Sequence, residues 1–290
     1  MSDPEPSRRR EAAEALLAWY RPLRRRYPWR GTRDPYAVWV SEVMLQQTQA
    51  ARVVAPFEAF IARFPDVAAL AASRRSDVVR AWGRLGYPRR AVSLHRAARL
   101  VVDEHGGRLP RDVETLRTLP GIGPYTANAI AAIAYGRAVP SLETNVRRIT
   151  ARTSFAAEPD EVSVAELATA AQAWIPARRV AAWTQALMDL GRDVCRPLRP
   201  ACDVCPLASA CAFREAGRVG RRSSRPQPRF EGSVRQARGR ILAEAREARS
   251  VPVDDLAAKL GVPPARADEA LAGLARDGLV VVARGRVRLA

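Results

Sequence analysis

All four cysteines of this 290-residue chain lie within one seventeen-residue segment, CRPLRPACDVCPLASAC. Their spacing is C-x6-C-x2-C-x5-C, and they are Cys195, Cys202, Cys205 and Cys211. In a cytosolic protein, cysteines grouped in this way indicate a metal site rather than disulfide bonds. Zinc sites usually contain two CxxC pairs and this segment has one, whereas four thiolates also suit a [4Fe–4S] cluster. The spacing predicts a loop closed around a metal and leaves its identity open.

The segment that precedes and includes these cysteines is helical in pattern. From about residue 8 to 212, apolar residues recur at three- and four-residue spacing, as in AAEALLAWYRPL and VAELATAAQAW, with Pro and Gly between the periodic runs. No alternating pattern typical of a strand occurs there. The predicted fold class is therefore all-α.

The C-terminal part of the chain differs in character. Residues 213–232 are rich in Arg, Ser, Pro and Gly and are expected to form a basic linker. Residues 233–290 predict three helices and a two-stranded hairpin around Arg284-Gly285-Arg286, which is typical of a winged-helix module. Such modules bind DNA or serve as protein interaction surfaces, and the sequence leaves both open.

The charge of the chain points to a polyanionic partner. The formal net charge is +18 and the isoelectric point is near 11.2, which is most often the mark of nucleic-acid binding. Anionic membrane is the rival partner, but no apolar run approaches the ~20 residues that would span a bilayer. The N-terminus lacks the features of a signal peptide, so we expect a soluble, cytoplasmic protein without a membrane partner.

One stretch, VETLRTLPGIGPYTANAIAAIAYG, predicts two helices joined by a tight hairpin. Gly121 and Gly123 allow the turn and a close approach of another backbone, and Pro124 suits the first position of the second helix. Free N–H groups at such a hairpin can hold a DNA phosphate without reading sequence. An ordinary turn between helices could look similar, but the charge and the cysteine loop favour a helix-hairpin-helix DNA clamp.

Two glutamates stand out, and spacing alone assigns neither to catalysis. Glu143, in PSLETNVRR, reads as an acid near a helix start that Thr144 or Asn145 could cap. Glu42 lies in WVSEVMLQQTQ, on a polar stripe with Gln46 beside apolar neighbours, so its spacing favours a solvated surface acid.

Taken together and in this order, these motifs resemble the helix-hairpin-helix DNA glycosylase superfamily, which includes endonuclease III. The segments WVSEVMLQQTQ, GRLGYPRRAVSLHRAA and QALMDLG are similar to those of its adenine DNA glycosylase (MutY) family. The resemblance covers about residues 12–212 and implies a glycosylase domain over 1–212 with a [4Fe–4S] cluster on the four cysteines. The implied lobes are a helical barrel at about 30–137, containing the hairpin at 114–136, and a cluster lobe at about 8–29 and 138–212.

The resemblance also implies an activity and a set of site residues. The activity would be hydrolysis of the N-glycosidic bond of adenine mispaired with 8-oxoguanine or guanine, after base flipping, in base excision repair. Glu42 would donate a proton to adenine, Glu143 would face the sugar cation with support from Asn145, and Tyr125 would lie near the sugar. The implied DNA- and lesion-binding residues are Gln46, Gln47, Thr48, Tyr87, Gly121 and Gly123. The partner would be double-stranded DNA with a mismatch or an oxidised base, bound by a monomer in the nucleoid.

Three departures from the family pattern keep alternatives open. Glu143 replaces an aspartate, Pro88 replaces the second of two tyrosines, and residues 233–290 replace a nudix-like domain that many members carry. A paralogous glycosylase with altered base specificity and a catalytically silent, cluster-containing DNA-binding protein are the alternatives. Bifunctional relatives have a lysine at the position of Tyr125, whereas the only lysine of this chain is Lys259. We therefore expect a monofunctional glycosylase without a Schiff-base lyase step.

Overall fold

The computed structural model describes residues 5–23, 26–221, 229–248 and 250–290. Its N-terminal and central parts are helical, and the described residues up to 212 contain no β-strand, which confirms the all-α prediction for that region. The helices are α1 Pro6–Tyr20, α2 Pro35–Leu45, α3 Ala50–Arg63, α4 Val67–Ala72, α5 Arg75–Trp82, α6 Arg89–His105, α7 Val113–Thr118, α8 Pro124–Ile133, α9 Thr144–Phe155, α10 Val164–Trp174, α11 Val180–Asp193 and α12 Ala212–Glu215.

Local sequence signals account for several helix starts. The Asp66 side chain accepts from the backbone N–H of Ala69 at the start of α4, and Ser163 forms a reciprocal capping box with Glu166 at the start of α10. These contacts satisfy N–H groups that have no partner within the helix. The helical pattern of the sequence is thus reinforced at its ends by side chains three residues apart.

The chain divides into two compact units. The first consists of Met1–Glu42, Pro110–Thr118 and Ile122–Arg225, and the second of Val43–Leu109, Leu119–Gly121 and Pro226–Ala290. These boundaries fall at other residues than the ranges implied by the resemblance, so the lobe assignments stay predictions. Part of the predicted linker, residues 222–228, lies outside the described residues, and α12 occupies another part of it.

In the first unit, α8 is a narrow helix that other helices enclose. Ala127, Ala129, Ala131 and Ala132 are all completely buried. Small side chains allow neighbouring helices to approach closely: α7 and α11 pack against α8, and α9 packs against α11. This packing places the first turns of α8 and α9 within the same unit as α2 up to Glu42.

In the second unit, the C-terminal residues form three helices and a small sheet. The helices are α13 Val234–Glu247, α14 Asp254–Leu260 and α15 Pro264–Arg276, and the strands are β1 Val251–Pro252, β2 Val280–Ala283 and β3 Arg286–Leu289. The sheet is antiparallel with the order β1-β3-β2. Arg284 and Gly285 both have positive φ, the backbone of a tight hairpin turn between right-twisted strands. The three helices and the hairpin are confirmed, β1 was not predicted, and assignment to the winged-helix class stays a prediction.

The core of this C-terminal module, residues 233–290, extends to other helices of the second unit. Val79 of α5 is completely buried in the same apolar cluster as Ile241, Leu256 and Leu274 of the module. An ion pair of 3.3 Å between Arg89 and Asp277 adds a polar contact between α6 and the residue that follows α15. The module is therefore packed onto α5 and α6. None of the described helices combines the length and apolar character that a membrane span requires.

Candidate active site

Glu42 lies in the buried central part of α2. Asp34 accepts from the backbone N–H groups of Tyr36 and Ala37 at 3.2 and 3.1 Å, which starts α2. Residues 38–44 of α2 are all buried, and Glu42 is only 2% exposed. The expectation from spacing, a solvated acid, is therefore wrong, because α2 has no solvated face in the turns that carry Glu42.

Tyr125 is the hydrogen-bonding partner of Glu42. Its hydroxyl, in the first turn of α8, donates to Oε2 of Glu42. Burial raises the pKa of the Glu42 carboxyl above its ordinary value of 4.5, and the charge of Glu143 raises it further, while the Tyr125 hydrogen bond and Arg30 lower it. Burial and Glu42 also raise the pKa of Tyr125 well above 10. Glu42 is thus a carboxyl group that holds a proton more readily than a solvated one.

The structure adds a buried ion pair that the sequence analysis missed. Arg30 Nη2 lies 2.8 Å from Asp189 Oδ1, and the two side chains are 5% and 0% exposed. Arg192 pairs with the same oxygen at 2.8 Å. Arg30 Nε and Nη1 and Asp189 Oδ2 have no hydrogen-bond partner among the described residues. The sequence QALMDLG contained a sign of this ion pair, because it places an acidic residue inside an apolar helical run. Such a residue needs a cationic partner if it is buried.

Glu143 is the N-cap residue of α9. Its Oε1 accepts from the backbone N–H of Val146 at 3.0 Å. The sequence predicted Thr144 or Asn145 as the cap, and that prediction is wrong because Glu143 itself caps the helix. Burial raises the pKa of the Glu143 carboxyl, while hydrogen bonds from the backbone of Asn145 and Val146 and the charge of Arg148 act against that rise. Glu143 therefore has a structural task in addition to any chemical one.

Glu42, Tyr125 and Glu143 share one electrostatic environment. The charge of Glu143 raises the pKa values of both Glu42 and Tyr125. Asn145 is held nearby, since its Oδ1 accepts from Arg148 at 2.7 Å. The structure thus brings together all four residues that the resemblance assigned to catalysis. In such a pair, the protonated carboxyl group can donate a proton to a leaving group, and the ionised one can stabilise a developing cation.

The cysteine loop lies against α9. Arg148 Nε donates to the carbonyl oxygen of Cys195 at 2.8 Å, and Arg152 donates to Cys195 Sγ at 3.6 Å. Arg152 is itself nearly completely buried and pairs with Glu158 at 2.6 Å. Arg148 therefore contacts both Asn145 and the backbone at the first cysteine, which ties the start of α9 to the loop.

The four cysteines are free thiols in mutual electrostatic contact. Burial raises the pKa of Cys205 to about 12, and the charges of the other three cysteines contribute to the rise. No group of three or more metal-ligating side chains in the described part of the chain is arranged to hold a metal ion. Four thiols that repel one another when ionised, beside two buried arginines, fit a group that takes four thiolates.

The remaining sequence-predicted residues lie mainly in the second unit. Gln46, Gln47 and Thr48 follow α2, and Tyr87 precedes α6 and is 44% exposed. Both Gln47 and Tyr87 have positive φ, at 53° and 45°. An exposed aromatic ring at the tip of a turn is suited to stacking on a base.

The two glycines of the hairpin, Gly121 and Gly123, differ in backbone conformation and in the space around them. Gly121 has φ of +80°, and a Cβ there would lie 2.8 Å from the Cβ of Ser93, so the close neighbour is a side chain rather than another backbone. Gly123 is the extended N-cap of α8, and a Cβ there would meet nothing within 4 Å. The space around Gly123 leaves the start of α8 open to a ligand.

Known proteins resemble this chain over most of its length. The sequence matches the HhH-GPD superfamily of base excision DNA repair proteins over residues 40–173. It is 43% identical to the adenine DNA glycosylase of Mycolicibacterium smegmatis over 283 residues, which cover 95% of this chain and 94% of that protein. The chain belongs to the adenine DNA glycosylase family. It is accordingly a hydrolytic DNA glycosylase of base excision repair.

Solved structures agree with this fold. A thermostable thymine-DNA glycosylase is similar with a TM-score of 0.66 and 27% identity, over 72% of this chain and 98% of that one. Endonuclease III trapped as a covalent intermediate with DNA is similar with a TM-score of 0.61 and 21% identity, over 74% and 99%. The chain thus has the fold of the helix-hairpin-helix glycosylases.

Proposed function

We propose that this chain hydrolyses the N-glycosidic bond of adenine mispaired with 8-oxoguanine or guanine in DNA. The observation that carries the proposal is the buried Glu42 carboxyl, hydrogen-bonded to Tyr125 and next to Glu143. Names of relatives such as the adenine DNA glycosylase of Mycolicibacterium smegmatis support adenine as the base.

The two carboxyl groups would divide the chemistry. An adenine inside a duplex is inaccessible, so the nucleotide must first be flipped out of the stack. Glu42, which burial keeps protonated to higher pH, donates its proton to the adenine ring, and the base leaves as a neutral molecule. Glu143 in its ionised form stabilises the oxocarbenium-like sugar until water adds to it.

Arg30 is suited to orient groups beside Glu42. Its Nη2 is bound to Asp189, while its buried Nε and Nη1 find no acceptor among the described residues. A buried N–H donor without a partner costs free energy, which a bound base or water could offset by accepting its hydrogen bond. We place Arg30 next to the base for this reason.

The lysine content supports a monofunctional enzyme. A lyase step through a Schiff base requires an amine nucleophile, and residues 1–258 contain no lysine. The corresponding position on α8 is Tyr125, whose hydroxyl is occupied by Glu42. The product would be an abasic site, and borohydride treatment should trap no covalent adduct with DNA.

The four cysteines would hold a [4Fe–4S] cluster. When bound, the cluster would supply a rigid core for residues 195–211. Arg148 and Arg152 would then donate to the backbone and to Cys195 Sγ, as they do in the structure. The partner we propose is double-stranded DNA with a mismatch or an oxidised base, bound by a monomer that is cytoplasmic and nucleoid-associated; the net charge of +18 supports contact with phosphates.

An altered base is the second candidate. Glu143 and Pro88 depart from the family pattern, and a thymine-DNA glycosylase is among the similar solved structures at 27% identity. Thymine opposite guanine is therefore the base pair that competes with the proposed substrate.

A panel of single-turnover base-release reactions tests the proposal. The duplexes carry adenine opposite 8-oxoguanine, guanine or thymine, and thymine opposite guanine. Adenine should be released fastest opposite 8-oxoguanine or guanine, and Glu42→Gln, which keeps size and loses the proton, should lower that rate by about 10²–10⁴. Release of thymine alone would establish the altered base, and tight binding without release of either base would contradict the proposal.

A further inference from the structure

Arg90 binds the backbone of two separate segments of the second unit. From the second position of α6, its Nη1 donates to the carbonyl oxygens of Val43 and Gln46, both at 2.6 Å, and to that of Met44 at 3.2 Å. Its Nη2 donates to Thr48 Oγ1 at 3.3 Å. One guanidinium group therefore holds the end of α2 and the turn that follows it.

The second segment is the turn that precedes α6. Arg90 donates to the carbonyl oxygens of Gly86 at 3.1 Å and Tyr87 at 3.4 Å. The guanidinium also lies over the rings of Trp82 and Tyr87, 5.3 and 5.5 Å from their centroids. Trp82 Nε1 in turn donates to the Gly86 carbonyl at 3.1 Å. The same cation is thus shared between two turns, residues 45–48 and residues 85–88.

These contacts take the place of an ion pair for the half-buried Arg90. Among the residues that the structure describes, no carboxylate lies within ion-pair distance of Arg90. Burial lowers the pKa of Arg90 to about 10, so the group stays charged at neutral pH. Backbone carbonyls, the Thr48 hydroxyl and two aromatic rings are the protein groups that stabilise its charge.

Each turn contains a residue in a strained conformation. Gln47 has φ of 53° and Tyr87 has φ of 45°, in the left-handed region that residues other than glycine rarely adopt. Such a conformation persists only when surrounding contacts over-determine it. Arg90 contacts the residue before Gln47 and the carbonyl of Tyr87 itself, and it is the donor that both turns have in common.

We propose that Arg90 is a positioning residue that holds the turns 45–48 and 85–88 together, so that Gln47 and Tyr87 meet a mismatched base pair as one preformed surface. This inference rests on the proposed function and on the lesion-binding roles that the resemblance implies for Gln47 and Tyr87. Lysine cannot replace Arg90, because one ammonium group cannot reach carbonyls on two turns and stack between two rings at once. Loss of the guanidinium should therefore affect recognition of the mismatch rather than the grip on the DNA backbone.

The test compares Arg90→Lys with Arg96→Lys, the same substitution at an exposed position on the same helix. The full chain is titrated with a duplex that contains adenine opposite 8-oxoguanine and with a fully paired duplex of the same sequence. A 2-aminopurine next to the mismatch reports local unstacking on binding. Arg90→Lys should lower the ratio of the two affinities about tenfold or more and remove the fluorescence increase. Its affinity for paired DNA should equal that of Arg96→Lys and of the wild type.

The test measures DNA affinity and not base release, so its failure can be distinguished from failure of the proposed function. A wild-type protein that releases no base can still bind the mismatched duplex more tightly than the paired one. An unchanged affinity ratio in Arg90→Lys, or an equal loss of affinity for both duplexes, would overturn the role of Arg90. Should Arg90→Lys fail to fold, Trp82→Phe removes the hydrogen bond to Gly86 and keeps a ring under the guanidinium. That variant should lose mismatch preference in the same selective way, and a parallel loss on both duplexes would likewise overturn the inference.

Discussion

The Glu143 side chain accepts a hydrogen bond from the backbone N–H of Val146, with a distance of 3.0 Å to Oε1. This contact makes a proposed catalytic carboxylate the cap of the helix that carries Asn145. The position of the Glu143 carboxylate is thus set by the start of α9, where hydrogen bonds from Val146 and Asn145 hold it. Structural and chemical roles can be separated at this residue because only one of them needs a charge.

Glu143→Gln should separate the two roles. The amide oxygen can still accept from Val146, so thermal stability should change little, whereas loss of the negative charge should lower base release by about 10²–10³. Glu143→Ala loses the cap as well and should cost about 1 kcal/mol of unfolding free energy. Single-turnover rates and thermal denaturation of both variants are the measurements. Equal melting temperatures for the two variants would contradict the capping role.

Glu42→Gln should stabilise the protein at neutral pH. Burial raises the pKa of Glu42 above 4.5, so the folded state binds this proton more tightly than the unfolded state. The stability that the proton contributes is complete below pH 4.5 and is lost as pH rises through the folded-state pKa. The glutamine does not titrate, so the variant's advantage in melting temperature should grow from about pH 4.5 upward and then level off. An advantage that is the same from pH 4 to 8 would show that Glu42 is not the titrating group.

Tyr125→Phe should move the alkaline limb of the pH–rate profile to higher pH. The hydroxyl donates to the ionised carboxyl and lowers the pKa of Glu42, so its removal should raise that pKa further. Base release requires Glu42 protonated and Glu143 ionised, which predicts a bell-shaped profile. Single-turnover rates from pH 5 to 9 check both limbs. A limb that stays in place, or moves to lower pH, would mean that Tyr125 does not tune Glu42.

Local signals explain what the sequence could predict. The hairpin before α8 was recognisable because Gly121 permits the positive φ that the turn requires and Pro124 has a fixed φ that suits a helix start. The hairpin at Arg284-Gly285 was predictable because Gly285 permits a positive φ between two apolar runs. The four cysteines were likewise informative, because their clustering is a property of the sequence itself.

Tertiary packing accounts for the errors. The spacing of Glu42 indicated a surface acid, but whether a polar stripe faces water depends on which residues cover it, and residues 38–44 are all buried. The ion pair of Arg30 and Asp189 joins residues 159 positions apart, a distance that no local pattern spans. Strand β1 has only two residues and pairs through β3, so it has no periodicity of its own.

Val79→Asp should destabilise the whole second unit, which includes the C-terminal module. Val79 is completely buried in the module's core, so an aspartate there would be a buried, unpaired carboxylate and should cost several kcal/mol. Val281→Asp, on strand β2 at a position that is 37% exposed, is the matched control and should have little effect. Thermal unfolding followed by circular dichroism compares them. A module that unfolds in a separate transition, unaffected by Val79→Asp, would contradict the shared core.

Gly191→Ala should disturb the contact between α11 and the start of α9. A Cβ at Gly191 would lie 2.3 Å from the Cβ of Asn145, far inside any real contact. The clash would push Asn145 away from Arg148, whose Nη2 also donates to the Gly191 carbonyl at 2.7 Å. We expect about 1–3 kcal/mol of lost stability and a lower rate of base release, because Glu143 lies two residues before Asn145.

Gly239→Ala is the control for this prediction. Gly239 lies inside α13, and a Cβ there would meet nothing within 4 Å. Alanine is a better helix former than glycine, so this variant should gain up to about 1 kcal/mol. The two variants are compared by thermal denaturation and by single-turnover base release. If Gly191→Ala were as stable and as active as Gly239→Ala, α11 would not hold Asn145 in place, and the support of Glu143 by its neighbour would need another source.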